Sequence, residues 1–158
     1  DLHSFPTRRS SDLVVAKKRV SPHGRTICME YSEKQCDTIR ELGLADCVIQ
    51  VNAQNPLETY QKYMDATGGR LADLTISTVN VPDTELSAIL VTKNTGRIYF
   101  FTMSTDFVKA SLGAEGAGKY MTMVLGAGYY PGHDIITYNI VRDNEPLKQY
   151  FISRYCKH

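Results

Sequence analysis

The chain has 158 residues, enough for one domain of ordinary size and too few for two complete ones. Hydrophobic residues make up 42 % and charged residues 22 %, which argues against a disordered tail, and no apolar run reaches the roughly 20 residues that a membrane span needs. Lys plus Arg total 18 against 17 Asp plus Glu, a formal net charge of +1, so charge gives no reason to expect a nucleic-acid partner.

The amino end differs in character from the rest of the chain. Residues 5–13, Phe5-Pro6-Thr7-Arg8-Arg9-Ser10-Ser11-Asp12-Leu13, read as a translated sequencing adapter, so 1–13 are set apart as an artefact and 14–158 are taken as the domain. No apolar h-region opens the chain, so a secretory leader is not expected. Cys28, Cys36, Cys47 and Cys156 form no C-x-x-C pair, which favours free thiols in a reducing cytoplasm over zinc ligation or disulfides.

From Leu13 to Val20 the pattern reads as the end of a helix, stopped by Ser21-Pro22-His23-Gly24. Arg25–Glu30 is a short strand. Ser32 suits an N-cap, a helix follows over 33–42, and Gly43 closes it. Cys47–Val51 is the next strand, and Asn52-Ala53-Gln54-Asn55 the loop after it. Pro56 opens a helix with Leu57, Tyr60 and Met64 on its apolar face, ending at Gly68-Gly69. Leu71–Thr78 is a strand, Pro82–Lys93 a helix, Asn94-Thr95-Gly96 a turn, and Arg97–Met103 a strand.

A short helix over Asp106–Leu112 leads to a glycine-rich connector, Gly113-Ala114-Glu115-Gly116-Ala117-Gly118. Tyr120–Leu125 is the last strand. After Gly126-Ala127-Gly128 and Pro131-Gly132 the chain is helical from His133 to the end, kinked at Pro146. Strands apolar on both faces, alternating with helices, predict an α/β, doubly wound, Rossmann-like parallel sheet covered by helices.

Glu30 ends the strand that would be second in a Rossmann unit. An acid there accepts hydrogen bonds from both hydroxyls of an adenosine ribose and repels a 2′-phosphate, which favours NAD over NADP. A solvated glutamate at a strand end is the plainer alternative. The partner motif, G-x-G-x-x-G, should lie about 20 residues earlier. That position falls near Ser10–Asp12, and no glycine precedes Gly24. The first strand and its glycine loop are therefore expected to be missing, leaving strands 25–30 and 71–78 each without a neighbour and the chain poorly stable.

Asn80-Val81-Pro82-Asp83-Thr84-Glu85 follows a strand at the end where open α/β sheets bind ligands. Asp83 and Glu85 either support the start of the next helix or recognise a cationic substrate. Met103-Ser104 is placed to line the nicotinamide end of the cleft. His133 reads as a surface residue, and neither His23 nor His158 has a functional case.

The strings Gly24-Arg25-Thr26-Ile27-Cys28, Glu41-Leu42-Gly43-Leu44-Ala45-Asp46 and Leu71-Ala72-Asp73-Leu74-Thr75-Ile76 recur in one known family. So do Val79-Asn80-Val81-Pro82-Asp83-Thr84-Glu85, Tyr99-Phe100-Phe101-Thr102-Met103 and Leu112–Lys119. Over about Val14–Tyr155 the chain resembles the carboxyl-terminal, cofactor-binding part of the L-erythro-3,5-diaminohexanoate dehydrogenases of anaerobic lysine fermentation.

The resemblance implies a medium-chain-dehydrogenase-like architecture, cytoplasmic location, a homodimer in the intact enzyme, and NAD as hydride acceptor. It implies oxidative deamination of (3S,5S)-3,5-diaminohexanoate, a small-molecule substrate, to 5-amino-3-oxohexanoate. It carries cofactor binding to Glu30, Tyr31, Asn52, Ala53, Asn80, Val81, Met103 and Ser104, and substrate binding to Asp83 and Glu85. Catalytic residues belong to the amino-terminal domain that is absent here, no metal ligand is assigned, and the isolated chain is expected to be inactive. The competing readings are an S-adenosylmethionine-dependent methyltransferase, whose sheet would end in an antiparallel strand pair, and a noncatalytic nucleotide-binding module.

Overall fold

The computed structural model describes residues 6–126, 128 and 131–156. The chain divides into two compact units, one made of residues 1–50 with 129–158 and the other of residues 51–128. Ala127 and His158, and the first five residues of the stretch set apart as an artefact, lie outside the described residues.

The first unit carries α1 (Pro6–Arg19), β1 (Ile27–Glu30), α2 (Glu33–Glu41), β2 (Cys47–Gln50), α6 (His133–Arg142) and α7 (Glu145–Tyr155). Helix α1 runs unbroken across the boundary at residue 13, and Ser10, Ser11 and Val14 are buried. Strands β1 and β2 pair in parallel, with Cys28 opposite Val48 and Glu30 opposite Gln50. Val14, Cys28, Ile39, Leu44 and Leu147 form the core, so both carboxyl-terminal and amino-terminal helices contribute to it.

Helix α2 ends as its sequence predicts. Gly43 sits at φ +60°, its N–H donates to Arg40 O, and Leu44 N–H donates to Ile39 O, which satisfies carbonyls the last turn leaves open. Ser32 does occupy the N-cap, but its hydroxyl makes no capping bond. The expected kink at Pro146 is instead a break. Helix α6 stops at Arg142, the Asn144 side chain accepts from Leu147 N–H, and Pro146 lies in the first turn of a new helix, where a missing N–H costs nothing.

The second unit carries α3 (Pro56–Thr67), β3 (Ala72–Ser77), α4 (Glu85–Val91), β4 (Thr92–Phe100), α5 (Phe107–Gly116) and β5 (Thr122–Leu125). Its sheet is parallel in the order β3-β4-β5. Ala88, Ile89, Ile98, Phe100 and Ala110 form its core. Both β1 and β3 end their sheets, each paired along one edge only among the described residues. Each sheet is parallel, a pair in the first unit and a trio in the second, as an incomplete Rossmann-like fold contains.

Several expectations need correction in this unit. Helix α4 starts at Glu85 rather than Pro82 and ends at Val91, because Thr92 already pairs with Ala72 of β3. The turn at Asn94-Thr95-Gly96 is absorbed into β4 as a bulge: the register steps from Ala72↔Thr92 to Leu74↔Arg97. Strand β4 then stops at Phe100, short of Met103. The glycine-rich stretch is mostly helix, since α5 runs to Gly116. A Cβ on Gly113 would come 3.0 Å from Ile89 Cδ1, so this glycine lets α5 approach α4 closely, and Gly118, at φ +62°, ends the helix.

The buried face of α3 is Thr59, Tyr63 and Thr67, not Leu57, Tyr60 and Met64; Leu57 is 75 % exposed. Strand β3 is also less covered than a parallel strand apolar on both faces suggests, for Leu74 and Ile76 are both exposed.

Candidate functional site

In the first unit, Glu30 closes β1 at its carboxyl end, where the chain turns into α2. Its side chain is buried, and Oε1 accepts from Tyr31 N–H at 2.8 Å and from Ser32 N–H at 3.1 Å. Those two donors belong to the turn into α2, which Ser32 leaves without a hydroxyl cap, so the glutamate takes part of the capping role. Tyr31 is exposed, and its carbonyl accepts from Gln50 Nε2 at 3.2 Å, across from β2. Cys36 packs beneath, its Sγ donating to Glu30 O at 3.7 Å. Burial pushes this thiol up, so it stays protonated and inert.

In the second unit, the loops leaving β3 and β4 meet side by side, as adjacent parallel strands require. The Thr102 hydroxyl donates to Asn80 Oδ1 at 3.2 Å and lies 2.9 Å from the Ser104 hydroxyl. Ser104 in turn reaches Val79 O at 3.3 Å. Two predicted residues, Asn80 and Ser104, are thereby joined through Thr102, which sequence reasoning passed over. Its only signal was its place just beyond a strand end. Met103, between them, is 92 % exposed. Val81 is half-buried, and its carbonyl accepts from the Thr84 hydroxyl at 3.3 Å.

Asn52 and Ala53 open a third loop of this unit. Asn52 Oδ1 accepts from Gln54 N–H at 3.0 Å, and Ala53 O accepts from the Ser87 hydroxyl at 2.6 Å. Gln54 Nε2 donates to Pro82 O at 3.2 Å, fastening this loop to the one after β3.

The two acids part company. Asp83 is exposed, at φ +65°, and ion-paired with Lys109; that carboxylate holds the Lys109 ammonium above the usual lysine value. Glu85 is 3 % exposed and accepts from Asp106 N–H at 2.8 Å. Among the described residues no group of three or more His, Cys, Asp or Glu is placed to hold a metal ion, and no helix is long and apolar enough to cross a membrane.

Taken unit by unit, Glu30 offers an acceptor carboxylate at the end of β1, and Asn80, Thr102 and Ser104 offer an amide and two hydroxyls in the loops after β3 and β4. The chain is 44 % identical over 140 residues to the L-erythro-3,5-diaminohexanoate dehydrogenase of Acetoanaerobium sticklandii, and 37 % over 136 residues to that of Fusobacterium nucleatum. These matches take in 89 % and 86 % of this chain but 41 % and 39 % of the relatives, so the chain spans about two fifths of their length.

No protein-family model matches. Among solved structures, an alcohol dehydrogenase of Thermotoga maritima superposes with a TM-score of 0.65 at 18 % identity, covering 87 % of this chain and 38 % of its own. The protein AibC superposes with a TM-score of 0.60 at 14 % identity, covering 90 % and 41 %. At such identities the likeness establishes the fold alone, an α/β Rossmann-like domain. Over the two fifths of their length that it spans, the chain is similar to the L-erythro-3,5-diaminohexanoate dehydrogenases of these two organisms.

Proposed function

We propose that the chain is the dinucleotide-binding portion of an NAD-dependent amine dehydrogenase that converts (3S,5S)-3,5-diaminohexanoate to 5-amino-3-oxohexanoate, with ammonia released. The likeness over 140 residues to an enzyme named for this substrate carries the reading. The position of Glu30 supports NAD: a buried carboxylate at the end of β1 suits a ribose diol and disfavours a 2′-phosphate. The methyltransferase reading is not favoured, since the curated proteins that the chain resembles are named as dehydrogenases.

In this reading Glu30 and Tyr31 take the adenosine ribose, and Asn52 and Ala53 line the dinucleotide. Asn80, Val81, Met103 and Ser104 border the reacting end, where Asn80 and Ser104 offer hydrogen bonds to a carboxamide and Met103 an apolar surface. Of the two acids, Asp83 is exposed and able to meet a substrate carrying two ammonium groups, whereas Glu85 is buried. The nicotinamide, when bound, supplies a two-electron hydride acceptor. On the substrate, loss of hydride from C3 turns the amine into an iminium, which water hydrolyses to the ketone. The intact enzyme would act in the cytoplasm as a homodimer.

Titration of the intact enzyme with NADH, NADPH and S-adenosylmethionine tests the reading. NADH is expected to saturate, with weaker NADPH binding; saturation by S-adenosylmethionine alone would sink it. Glu30→Gln should weaken NADH by about tenfold, the worth of a charge-assisted bond. Unchanged affinity would return Glu30 to a purely capping role.

A further inference from the structure

We propose that Glu85 and Ser87 of α4 are positioning residues that hold the flanking loops, 52–55 and 101–106, in register with the loop after β3. This deepens the cofactor reading and rests on it. Residues two apart on a helix point about 200° away from each other, so a single turn can reach neighbours on opposite sides. Both side chains are buried, and each spends its polar atom on a loop rather than on its own helix. Glu85 Oε1 takes Asp106 N–H at 2.8 Å, and Ser87 Oγ donates to Ala53 O at 2.6 Å.

The hold on loop 101–106 is complete at both ends. Phe101 N–H donates to Ser77 O at 2.8 Å, anchoring its start to β3. At its finish, Asp106 caps α5, Oδ1 accepting from Val108 N–H at 2.8 Å and Lys109 N–H at 3.0 Å. The Asp106 carboxylate fixes the helix, while its own N–H is fixed by Glu85. Six residues spanning two anchored ends leave Thr102 and Ser104 little freedom, and their bonds to Asn80 and Val79 O complete the tie. A carboxylate left buried without a donor is costly, so the Glu85–Asp106 bond is the arrangement that makes an acid tolerable at this position. Glu85 therefore acts on the cofactor end through Ser104 and its neighbours rather than by touching a ligand.

Hydrogen exchange of the full chain, read peptide by peptide, tests this, with NADH titrated in parallel. Glu85→Ala is expected to speed exchange over 101–109 by about tenfold while 52–59 and the strands of the same unit stay within about twofold. Ser87→Ala is expected to do the reverse, loosening 52–59 and sparing 101–109. Glu85→Gln, which keeps an acceptor oxygen, should restore protection. The proposal is overturned if Glu85→Ala leaves 101–109 unchanged, if it loosens residues 51–126 uniformly, or if Glu85→Gln opens the loop as far as alanine does. Should Glu85→Ala fail to fold, Ser87→Ala decides alone, and unchanged exchange over 52–59 overturns the proposal. NADH reports separately: failure of the unsubstituted intact enzyme to bind it defeats the cofactor reading and leaves the exchange pattern to judge the positioning role.

Discussion

Lys119 Nζ lies 2.7 Å from Leu90 O, reaching back from the turn after α5 to the end of α4. The same ammonium donates to Ile89 O at 3.0 Å and to Thr92 O. One lysine thus serves three carbonyls where α4 passes directly into β4 with no loop in which to satisfy them. Burial pushes its ammonium below the ordinary lysine value, but the three acceptors keep it in place.

Lys119→Met keeps an unbranched side chain one atom shorter and removes the donors. It is expected to destabilise the chain by about 1–2 kcal/mol, because carbonyls at the helix end lose their partner. Urea denaturation measures this, and an unchanged midpoint would show that water replaces the ammonium at no cost.

Asp46 makes the corresponding clasp in the first unit. Its Oδ2 accepts from Thr26 N–H at 2.8 Å, and Oδ1 lies 3.2 Å from Lys17 Nζ, which also donates to Gly43 O. The Thr26 bond first, and Lys17 with it, hold the carboxyl below its ordinary value of 3.8. Since the folded value is below the unfolded one, the stabilisation is fully present above the unfolded value and is lost as the pH falls through the folded one. The stability difference between the unsubstituted chain and Asp46→Asn should therefore be flat above about pH 5 and shrink below about pH 4. Denaturation at stepped pH reads it, and a difference that persists unchanged into strong acid contradicts it.

The face of α3 gives a third expectation. Tyr63→Ala should cost about 3 kcal/mol, the scale for emptying a buried aromatic site. Leu57→Ala should fall within about 0.5 kcal/mol of the unsubstituted chain. Thermal or urea denaturation of the two variants checks the order, and a larger loss at Leu57 would put the apolar stripe back at the core.

The same helix shows where sequence reading stopped. Strand and helix order was legible because each apolar run of four to six residues is punctuated by glycine, proline or a cap, as with Gly43, Pro56 and Gly68. Which side of α3 turns inward was not, because its buried threonines meet their hydrogen-bonding needs locally. Thr67 Oγ1 donates to Tyr63 O at 2.8 Å and Thr59 Oγ1 to Asn52 O at 3.1 Å, so polar residues enter the core at little cost.

At the candidate site, Glu30 was legible as the acid at a strand end, but its bonds to Tyr31 and Ser32 N–H were not. The split between Asp83 and Glu85, one paired at the surface and one buried, depends on Lys109 and Asp106 more than twenty residues away in the chain. No local pattern signals such partners.

The edge that β3 presents bears on how the chain behaves in solution. Among the described residues no strand pairs with the outer edge of β3, and that edge, beside the exposed side chains of Leu74 and Ile76, is a ready template for a foreign strand. Concentrated during purification, such molecules should associate edge to edge, and a soluble monomer is expected only when dilute or when another strand occupies that rim.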